Sequence, residues 1–243
     1  MKLQNPFKNL TKTEWGIWIF SLVAVLVSFF LNTQKDAVTL ISCLIGVTAL
    51  IFISKGDPIG QILAVVFALG YSVASYTQKY YGEMITYLGM STPMSIAAMV
   101  AWFKNPHKAG ENEVRVGKMN AKKWTFLCVS AVAVTVAFYF ILRALNTANL
   151  IVSTLSVTTS WFAAMLVFFR SPYYGVAYGL NDVVLVILWV VATVKNPEYL
   201  PMVINFSVFL LNDLYGFVNW QRMHRRQKAE CEADNGPLKK TVD

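Results

Sequence analysis

Residues 173–194 read YYGVAYGLNDVVLVILWVVATV, and Asp182 is the only formally charged residue in this stretch. A helix that crosses a bilayer needs roughly 20 consecutive, mostly apolar residues. The stretch therefore predicts a membrane span with a carboxylate near its middle. Because a charged group in hydrocarbon costs roughly 2.5–3.5 kcal/mol on insertion scales, we expect this carboxylate to have a function.

Composition extends this interpretation to the whole chain of 243 residues, of which 56% are hydrophobic and 14% charged. Soluble domains carry about 25% charged residues, so a soluble fold is excluded. The apolar runs are too long and too continuous for the alternating strands of a barrel. The sequence predicts an all-α membrane protein with eight transmembrane helices, at Trp15–Leu31, Ala37–Ile53, Pro58–Thr77, Met84–Phe103, Trp124–Leu145, Leu150–Phe169, Tyr173–Val194 and Tyr199–Trp220.

The basic residues predict how these spans are oriented. If both termini are cytoplasmic, 17 of the 21 lysines and arginines lie on the inner side, and four (Lys35, Lys79, Arg143 and Lys195) lie outside. Such a bias sets topology by the positive-inside rule. It also accounts for the net charge of +8 without a nucleic-acid partner. We expect a multi-pass protein of a bacterial inner membrane.

The chain also contains a weak internal repeat with an offset of 115 residues. This offset aligns Lys55 with Arg170, Gly60 with Gly175 and Glu83 with Glu198. One span separates the two triplets of spans, so both triplets run in the same direction, as in small carriers of the SWEET type. The predicted units are an N-terminal segment with an extra helix (1–35), a three-helix bundle (36–104), a basic loop and linker helix (105–146), a second three-helix bundle (147–222) and a frayed cytoplasmic tail (223–243).

Two Asn-Asp pairs give the second bundle a polar centre, where the aligned residues of the first bundle are apolar. A carboxylate at mid-depth attracts a cation, and a tyrosine or tryptophan face holds a flat cationic ring by stacking and cation–π attraction. The predicted substrate-binding residues are the two pairs, nearby aromatic residues and two glutamines of the first bundle: Asn181, Asp182, Asn212, Asp213, Trp189, Tyr178, Trp161, Gln61 and Gln78.

Two other roles for the Asn-Asp pairs remain open. The pairs could hydrogen-bond between helices and hold the bundle together, or a buried aspartate could carry a proton across the membrane. Pro93 is the one proline well inside a span. Because proline interrupts the helical hydrogen bonds, we predict a kink and a hinge there.

Several chemistries are not indicated by the sequence. It has no phosphate-binding loop of the Gly-x-x-x-x-Gly-Lys-Ser/Thr type, so direct use of ATP is not expected. Its two histidines, His107 and His224, lie in polar segments without a set of further metal ligands. We expect neither an enzyme nor a cofactor. A membrane scaffold that binds a partner through its basic loop stays possible, although the polar centre argues against it.

Several motifs resemble those of PnuC-type nicotinamide riboside transporters. The resemblance covers about residues 37–222 and is densest in the second bundle. Its motifs are Tyr81-Gly82-Glu83-Met84, Pro93-Met94-Ser95, Trp102-Phe103-Lys104-Asn105, Arg170-Ser171-Pro172-Tyr173-Tyr174, Asn181-Asp182 followed by Leu188-Trp189, and Asn212-Asp213-Leu214-Tyr215-Gly216-Phe217 running into Asn219-Trp220.

This resemblance implies a SWEET-like fold of two three-helix bundles, assembled as a homotrimer in the lipid bilayer. It implies uptake of nicotinamide riboside by facilitated diffusion with alternating access. Related members handle thiamine or riboflavin. The pyridinium of the riboside is cationic and agrees with the carboxylates. Thiamine is cationic too, so a thiamine carrier, and proton coupling, stay open as alternatives.

Overall fold

The computed structural model of the protein describes residues 5–31, 36–77, 81–147 and 149–234. Within these ranges eight helical segments are long and apolar enough to cross a membrane, and no strand occurs. The predicted all-α architecture with eight spans is confirmed. The helices are α1 (Lys12–Leu31), α2 (Ala37–Ser54), α3 (Ile59–Thr77), α4 (Tyr81–Thr86), α5 (Thr92–Phe103), α6 (Ala121–Ala144), α7 (Leu150–Phe168), α8 (Tyr174–Lys195) and α9 (Leu200–Asp234), and a π-helical turn (Tyr87–Ser91) joins α4 and α5 into one span.

Helix α1 begins with a capping box that also anchors it to the other helices. The Thr11 N–H donates to Glu14 Oε2 at 2.7 Å, and the Glu14 N–H donates to Thr11 Oγ1 at 3.3 Å. The same carboxylate accepts from Lys55 Nζ, at the end of α2, at 2.9 Å and from the Tyr215 hydroxyl of α9 at 3.0 Å. One buried carboxylate therefore fixes the extra N-terminal helix to two others.

Helices α2 and α7 end in the same way, although their sequences differ at that point. Each is followed by a residue with positive φ, Gly56 (69°) or Arg170 (57°). The next N–H reaches back to a carbonyl five residues earlier, from Asp57 to Phe52 at 3.0 Å and from Ser171 to Leu166 at 2.8 Å. This left-handed cap satisfies carbonyls that the last helical turn leaves unpaired and reverses the chain into the next span.

The helices form two triplets that pack against each other reciprocally. Helix α3 contacts α2 and α5 in the first triplet, and α8 contacts α7 and α9 in the second. Between the triplets, α2 packs on α9 and α5 packs on α7. Helix α1 lies against α2 and α9, and α6 lies against α7. The first helix of each triplet therefore contacts the last helix of the other.

The prediction of a frayed end after Arg222 is wrong for the residues that the structure describes there. Helix α9 continues to Asp234 and reaches about 52 Å at 1.5 Å per residue, which exceeds the roughly 30 Å of hydrocarbon. The projecting part is held by polar contacts, such as Gln227 Nε2 to Glu113 Oε1 at 2.7 Å. Residues 235–243 lie outside the described residues.

The loop between α5 and α6 carries these contacts and also joins the two triplets. The Val114 N–H donates to the Gly56 carbonyl, in the turn between α2 and α3, at 2.9 Å. The Gly117 N–H donates to the Arg170 carbonyl, between α7 and α8, at 2.9 Å. Both turns at this end of the bundle are thus bound by one short segment of chain.

Candidate functional site

One face of α8 brings a carboxyl and two phenol groups to the centre of the bundle. Tyr174, Tyr178 and Asp182 are spaced four residues apart, so they lie above one another on the helix. Together with Asn181 they line a cavity between the two triplets, and the Asp182 side chain is 2% exposed. Asp182 is the ninth of the 22 residues of α8.

A close approach of α9 to α8 places the second carboxyl beside the first. A Cβ at Gly175 would lie 2.6 Å from both the Asp213 carbonyl oxygen and the Phe217 nitrogen, so only glycine fits at this crossing. The side chains of Asp182 and Asp213 both line the cavity and are close enough to interact electrostatically. The second oxygen of Asp182, Oδ2, is buried without a partner among the described residues. This oxygen is available to a ligand.

Asn181 is held in place by the polar run of α7. Its carbonyl oxygen accepts hydrogen bonds from Thr159 Oγ1 and Ser160 Oγ, both at 2.8 Å. Because this oxygen already accepts two hydrogen bonds from α7, the orientation of the amide is fixed beside Asp182. The small polar residues of α7 therefore position a side chain of the cavity as well as letting the helices approach.

Aromatic rings form the other walls of the cavity. Phe67 lies 5.6 Å from Phe209 and 5.8 Å from Tyr87, and Phe206 lies 5.7 Å from Phe209, measured between ring centroids. The cavity encloses about 100 Å³, below the roughly 300–1,000 Å³ of most small-molecule sites, so the site is contracted around its own side chains. Two carboxyl groups between aromatic walls can hold a flat organic cation.

The charges of the lining residues have one sign. Apart from tyrosines, the two aspartates are the only ionisable residues among the described residues that line the cavity. None of these lining residues is basic. Serine hydroxyls of Ser91, Ser95 and Ser160 add neutral polar groups. Both triplets contribute residues to the lining, so the cavity lies between them.

Three of the predicted site residues have partners elsewhere. Asn212 does not line the cavity, because its Nδ2 donates to Ser21 Oγ on α1 at 2.9 Å. This is the helix-to-helix bond that the sequence left open as an alternative. Trp161 Nε1 donates to Ser130 Oγ on α6 at 3.0 Å. Trp189 lines a separate cavity beside Glu83 and the α6–α7 turn.

Of the two predicted glutamines, the structure describes Gln61, and this residue does not line the cavity. Gln61 is buried on α3, and its amide nitrogen has no hydrogen-bond partner among the described residues. Gln78 lies outside the described residues. Pro93 lies two residues after the end of the π-helical turn, and Thr92 Oγ1 donates to the Tyr87 carbonyl at 2.9 Å. The irregular helix geometry is therefore at the position where the hinge is predicted.

Sequence reasoning missed most of the aromatic wall. Tyr174 could have been found, because it stands eight residues before Asp182 on the same helical face. Tyr87 is brought to the cavity by the π-helical turn, whose extra residue changes the facing of side chains. Phe67, Phe206 and Phe209 carry no signal beyond ordinary apolar residues of a membrane span.

Comparison with known proteins gives one consistent relationship. The family model described as nicotinamide mononucleotide transporter matches residues 36–222. Two relatives named nicotinamide riboside transporter PnuC are similar to this chain. The Neisseria mucosa protein is 22% identical over 219 residues (88% of this chain, 83% of the relative), and the Haemophilus influenzae protein is 23% identical over 227 residues (93% and 97%).

A solved structure shares the fold. It is described as the crystal structure of the vitamin B3 transporter PnuC, and it superposes with a TM-score of 0.77 at 23% identity, over 90% of this chain and 94% of that one. The family match covers well over half of the sequence and includes both Asn-Asp pairs. The chain therefore belongs to the nicotinamide mononucleotide transporter family of multi-pass membrane proteins.

Proposed function

We propose that this protein is a carrier, not an enzyme, that takes up nicotinamide riboside across a bacterial inner membrane. The observation that carries the proposal is the central cavity, where the adjacent carboxyls of Asp182 and Asp213 lie between aromatic walls. A pyridinium ring is flat and positively charged, so it suits both features. The names of the two PnuC relatives support the same substrate.

The charge of the cavity favours the riboside over the mononucleotide in the family's description. The mononucleotide adds a phosphate group with up to two negative charges. Phosphate sites in proteins supply arginine, lysine or backbone N–H groups, whereas the described lining residues include two aspartates and no basic side chain. A phosphate beside Asp182 and Asp213 would be repelled, so we infer that the substrate is a nucleoside without phosphate.

Asp182, Asp213, Asn181 and Tyr178 are the proposed binding residues, with Tyr174 in the wall. The oxygen Oδ2 of Asp182 would face the cationic ring, since it has no other partner among the described residues. Thiamine carries a cationic ring as well and is the competitor to test. Proton coupling through the two carboxyls is a further possibility on the same geometry, and uptake that responds to an imposed pH gradient would support it.

The proposed mechanism is facilitated diffusion with alternating access. The reciprocal packing of α2 on α9 and α5 on α7 supports two parallel, SWEET-like repeats linked by α6, with the substrate site between them. The irregular turn before Pro93 lies in a helix of the cavity wall and would serve as the hinge. Rocking of the triplets about this site would expose it to either side.

The proposed orientation places both termini in the cytoplasm. The projecting part of α9 and the loop between α5 and α6 lie at the same end of the bundle and carry many of the basic residues. A homotrimer, which the family resemblance implies, needs an apolar surface on each subunit. The exposed side of α6, with Phe126, Val132 and Phe140, is available for lipid or for a neighbouring subunit.

Calorimetric titration of the purified protein in detergent tests the substrate. We expect nicotinamide riboside to bind and the mononucleotide to bind at least tenfold more weakly. Asp182→Asn keeps the shape and removes one charge. An ion pair at 4 Å is worth about 4 kcal/mol at an effective dielectric constant of 20. Desolvation offsets part of this, so we expect affinity to fall at least tenfold, or about 1.4 kcal/mol.

Glu232→Gln is the matched control, because its side chain is 69% exposed on the projecting part of α9. It removes a carboxylate far from the cavity and should leave affinity unchanged. Equal affinity of wild type and Asp182→Asn for the riboside would refute the electrostatic basis of the proposal. Binding of thiamine alone would keep the site and replace the substrate.

A further inference from the structure

A second cavity opens at the end of the bundle opposite the loop between α5 and α6. It encloses about 560 Å³, within the roughly 300–1,000 Å³ of most small-molecule sites. Its walls are the last turns of α1 and α3, the first turns of α2 and α9, and the turn that follows α8. In the proposed orientation this outer cavity faces away from the cytoplasm. The substrate of an uptake carrier arrives from this side.

The floor of the outer cavity holds an amide group that none of the described residues satisfies. Asn205 on α9 is 2% exposed, and neither its Nδ2 nor its Oδ1 has a hydrogen-bond partner among the described residues. Burying an unpaired amide is costly, so buried polar groups almost always have partners. Asn212, two turns further along α9, bonds Ser21 and the Val208 carbonyl. The unpaired amide of Asn205 thus points to a partner outside the described residues, and the cavity that it lines has room for a ligand.

A carboxylate stands at the rim of the same cavity. Asp36 caps α2, with Oδ1 accepting from the Val38 N–H at 3.0 Å and Oδ2 from the Thr39 N–H at 3.3 Å. Both oxygens of Asp36 thus act as acceptors in an N-cap of the usual kind. The described residues that line this cavity include a second carboxylate, Glu198, and no basic side chain. The cavity therefore combines negative charge at the rim with an unpaired amide at the floor.

The outer cavity lies in line with the central one along the same two helices. On α2, Cys43 lines the outer cavity and Gly46 the central one, and on α9 Asn205 is followed by Phe206. Eight residues separate Asn205 from Asp213, or about 12 Å along the helix axis. Phe206 and Phe209 are the outermost α9 residues of the central wall. An aromatic layer therefore separates the two cavities.

We propose that the outer cavity is a second binding site, which takes the cationic nucleoside before it passes the aromatic layer. Asp36 attracts the positive charge at the rim. Asn205 exchanges hydrogen bonds with a substrate hydroxyl or carboxamide at the floor, which supplies a partner that the described residues do not. The inference rests on the proposed function for the identity of the ligand, and on Asn205 and the cavity for the site.

Two variants of the full chain isolate this site. Asn205→Leu removes the amide at similar volume. Asp36→Asn removes the charge and keeps the cap, because asparagine caps helices as well as aspartate does. Nicotinamide riboside is titrated calorimetrically into wild type, both variants, Asp182→Asn and the control Glu232→Gln, at low and high salt. Initial uptake rates are measured in proteoliposomes.

We expect two binding events in wild type, of which the weaker belongs to the outer cavity. Asn205→Leu should weaken this event at least tenfold and change the stronger one less than twofold. Asp36→Asn should weaken it about threefold and reduce its salt dependence. The weaker event should persist in Asp182→Asn. Both outer variants should slow uptake at low substrate concentration and leave the maximal rate unchanged.

A single binding event in wild type, with uptake unchanged in both outer variants, would overturn the inference and leave the central site intact. A weaker event that Asn205→Leu does not alter would overturn it too. Raised thermal stability of Asn205→Leu with both events unchanged would identify the amide as a packing defect, against the inference. If wild type showed the weaker binding event without the stronger one, the proposed function would be refuted instead.

Discussion

Replacing Gly175 with alanine would place a methyl group at the crossing of α8 and α9. The added Cβ would lie 2.6 Å from the Asp213 carbonyl oxygen and 2.9 Å from the Phe217 Cα, while ordinary contact begins at 3.4 Å. The helices must therefore separate by about 0.8 Å, the difference between 3.4 and 2.6 Å. These neighbours are backbone atoms of a helix and cannot rotate away.

The energetic cost follows from two opposing effects. Overpacking of this kind costs about 1–3 kcal/mol, and alanine regains up to about 1 kcal/mol over glycine in a helix. Backbone contacts cannot relax easily, so the cost lies near the upper end of the range for overpacking. We expect the free energy of unfolding to fall by about 2 kcal/mol and the midpoint of thermal unfolding to fall by about 5 °C. The same displacement moves Asp213 away from Asp182, so riboside affinity should also fall.

Thermal unfolding and calorimetric binding in detergent measure both effects. Gly16→Ala is the matched control, because a Cβ at this helical glycine would meet nothing within 4 Å. Its midpoint should stay the same or rise slightly, and its affinity should equal that of wild type. If Gly175→Ala matched Gly16→Ala in stability and binding, the close crossing of α8 and α9 would not be what holds the two carboxyls together.

Two further predictions concern charges outside the central cavity. Glu14→Gln leaves the mostly buried ammonium of Lys55 without its partner. It should lower the free energy of unfolding by about 3 kcal/mol, and Glu14→Gln with Lys55→Met should recover most of the loss. Equal stability of the single and double variants would contradict this. Burial raises the pKa of Asp57 against the hydrogen bonds from the Ile59 N–H and Asn112, so the folded state binds this proton more tightly than the unfolded state. The thermal midpoint of wild type minus that of Asp57→Asn should therefore increase as the pH falls from 7 toward about 4, and a difference independent of pH would refute the assignment.

Much of the architecture could be predicted from the sequence, because apolar runs of sufficient length leave a chain few choices in hydrocarbon. Asp182 and Asp213 could be identified as central for a related reason. A carboxylate at mid-span is costly enough to stand out from a single sequence. Tyr178 followed from helical spacing, since it lies one turn before Asp182.

The sequence did not reveal in which direction some side chains point or how long the last helix is. Neighbouring residues on a helix point about 100° apart, so Asp213 faces the cavity while Asn212 bonds α1. Trp189 shares the face of Asp182 but lies seven residues away, about 10.5 Å along the axis, beyond the contracted cavity. The continuation of α9 depends on partners such as Glu113, which are distant in sequence and gave no local signal.

The loop between α5 and α6 binds the turn after α2 and the turn after α7, and it therefore limits how far the bundle can open at this end. Its bonds to Gly56 and Arg170 leave from Val114 and Gly117. Three residues of fully extended chain reach about 10–11 Å. The loop is thus a tether of limited length, and a wide separation of the two turns would require one of the two backbone hydrogen bonds to break first. Any opening beyond that length would therefore depend on the breaking of a single backbone hydrogen bond at the end of the bundle, and not on a contact inside the central cavity.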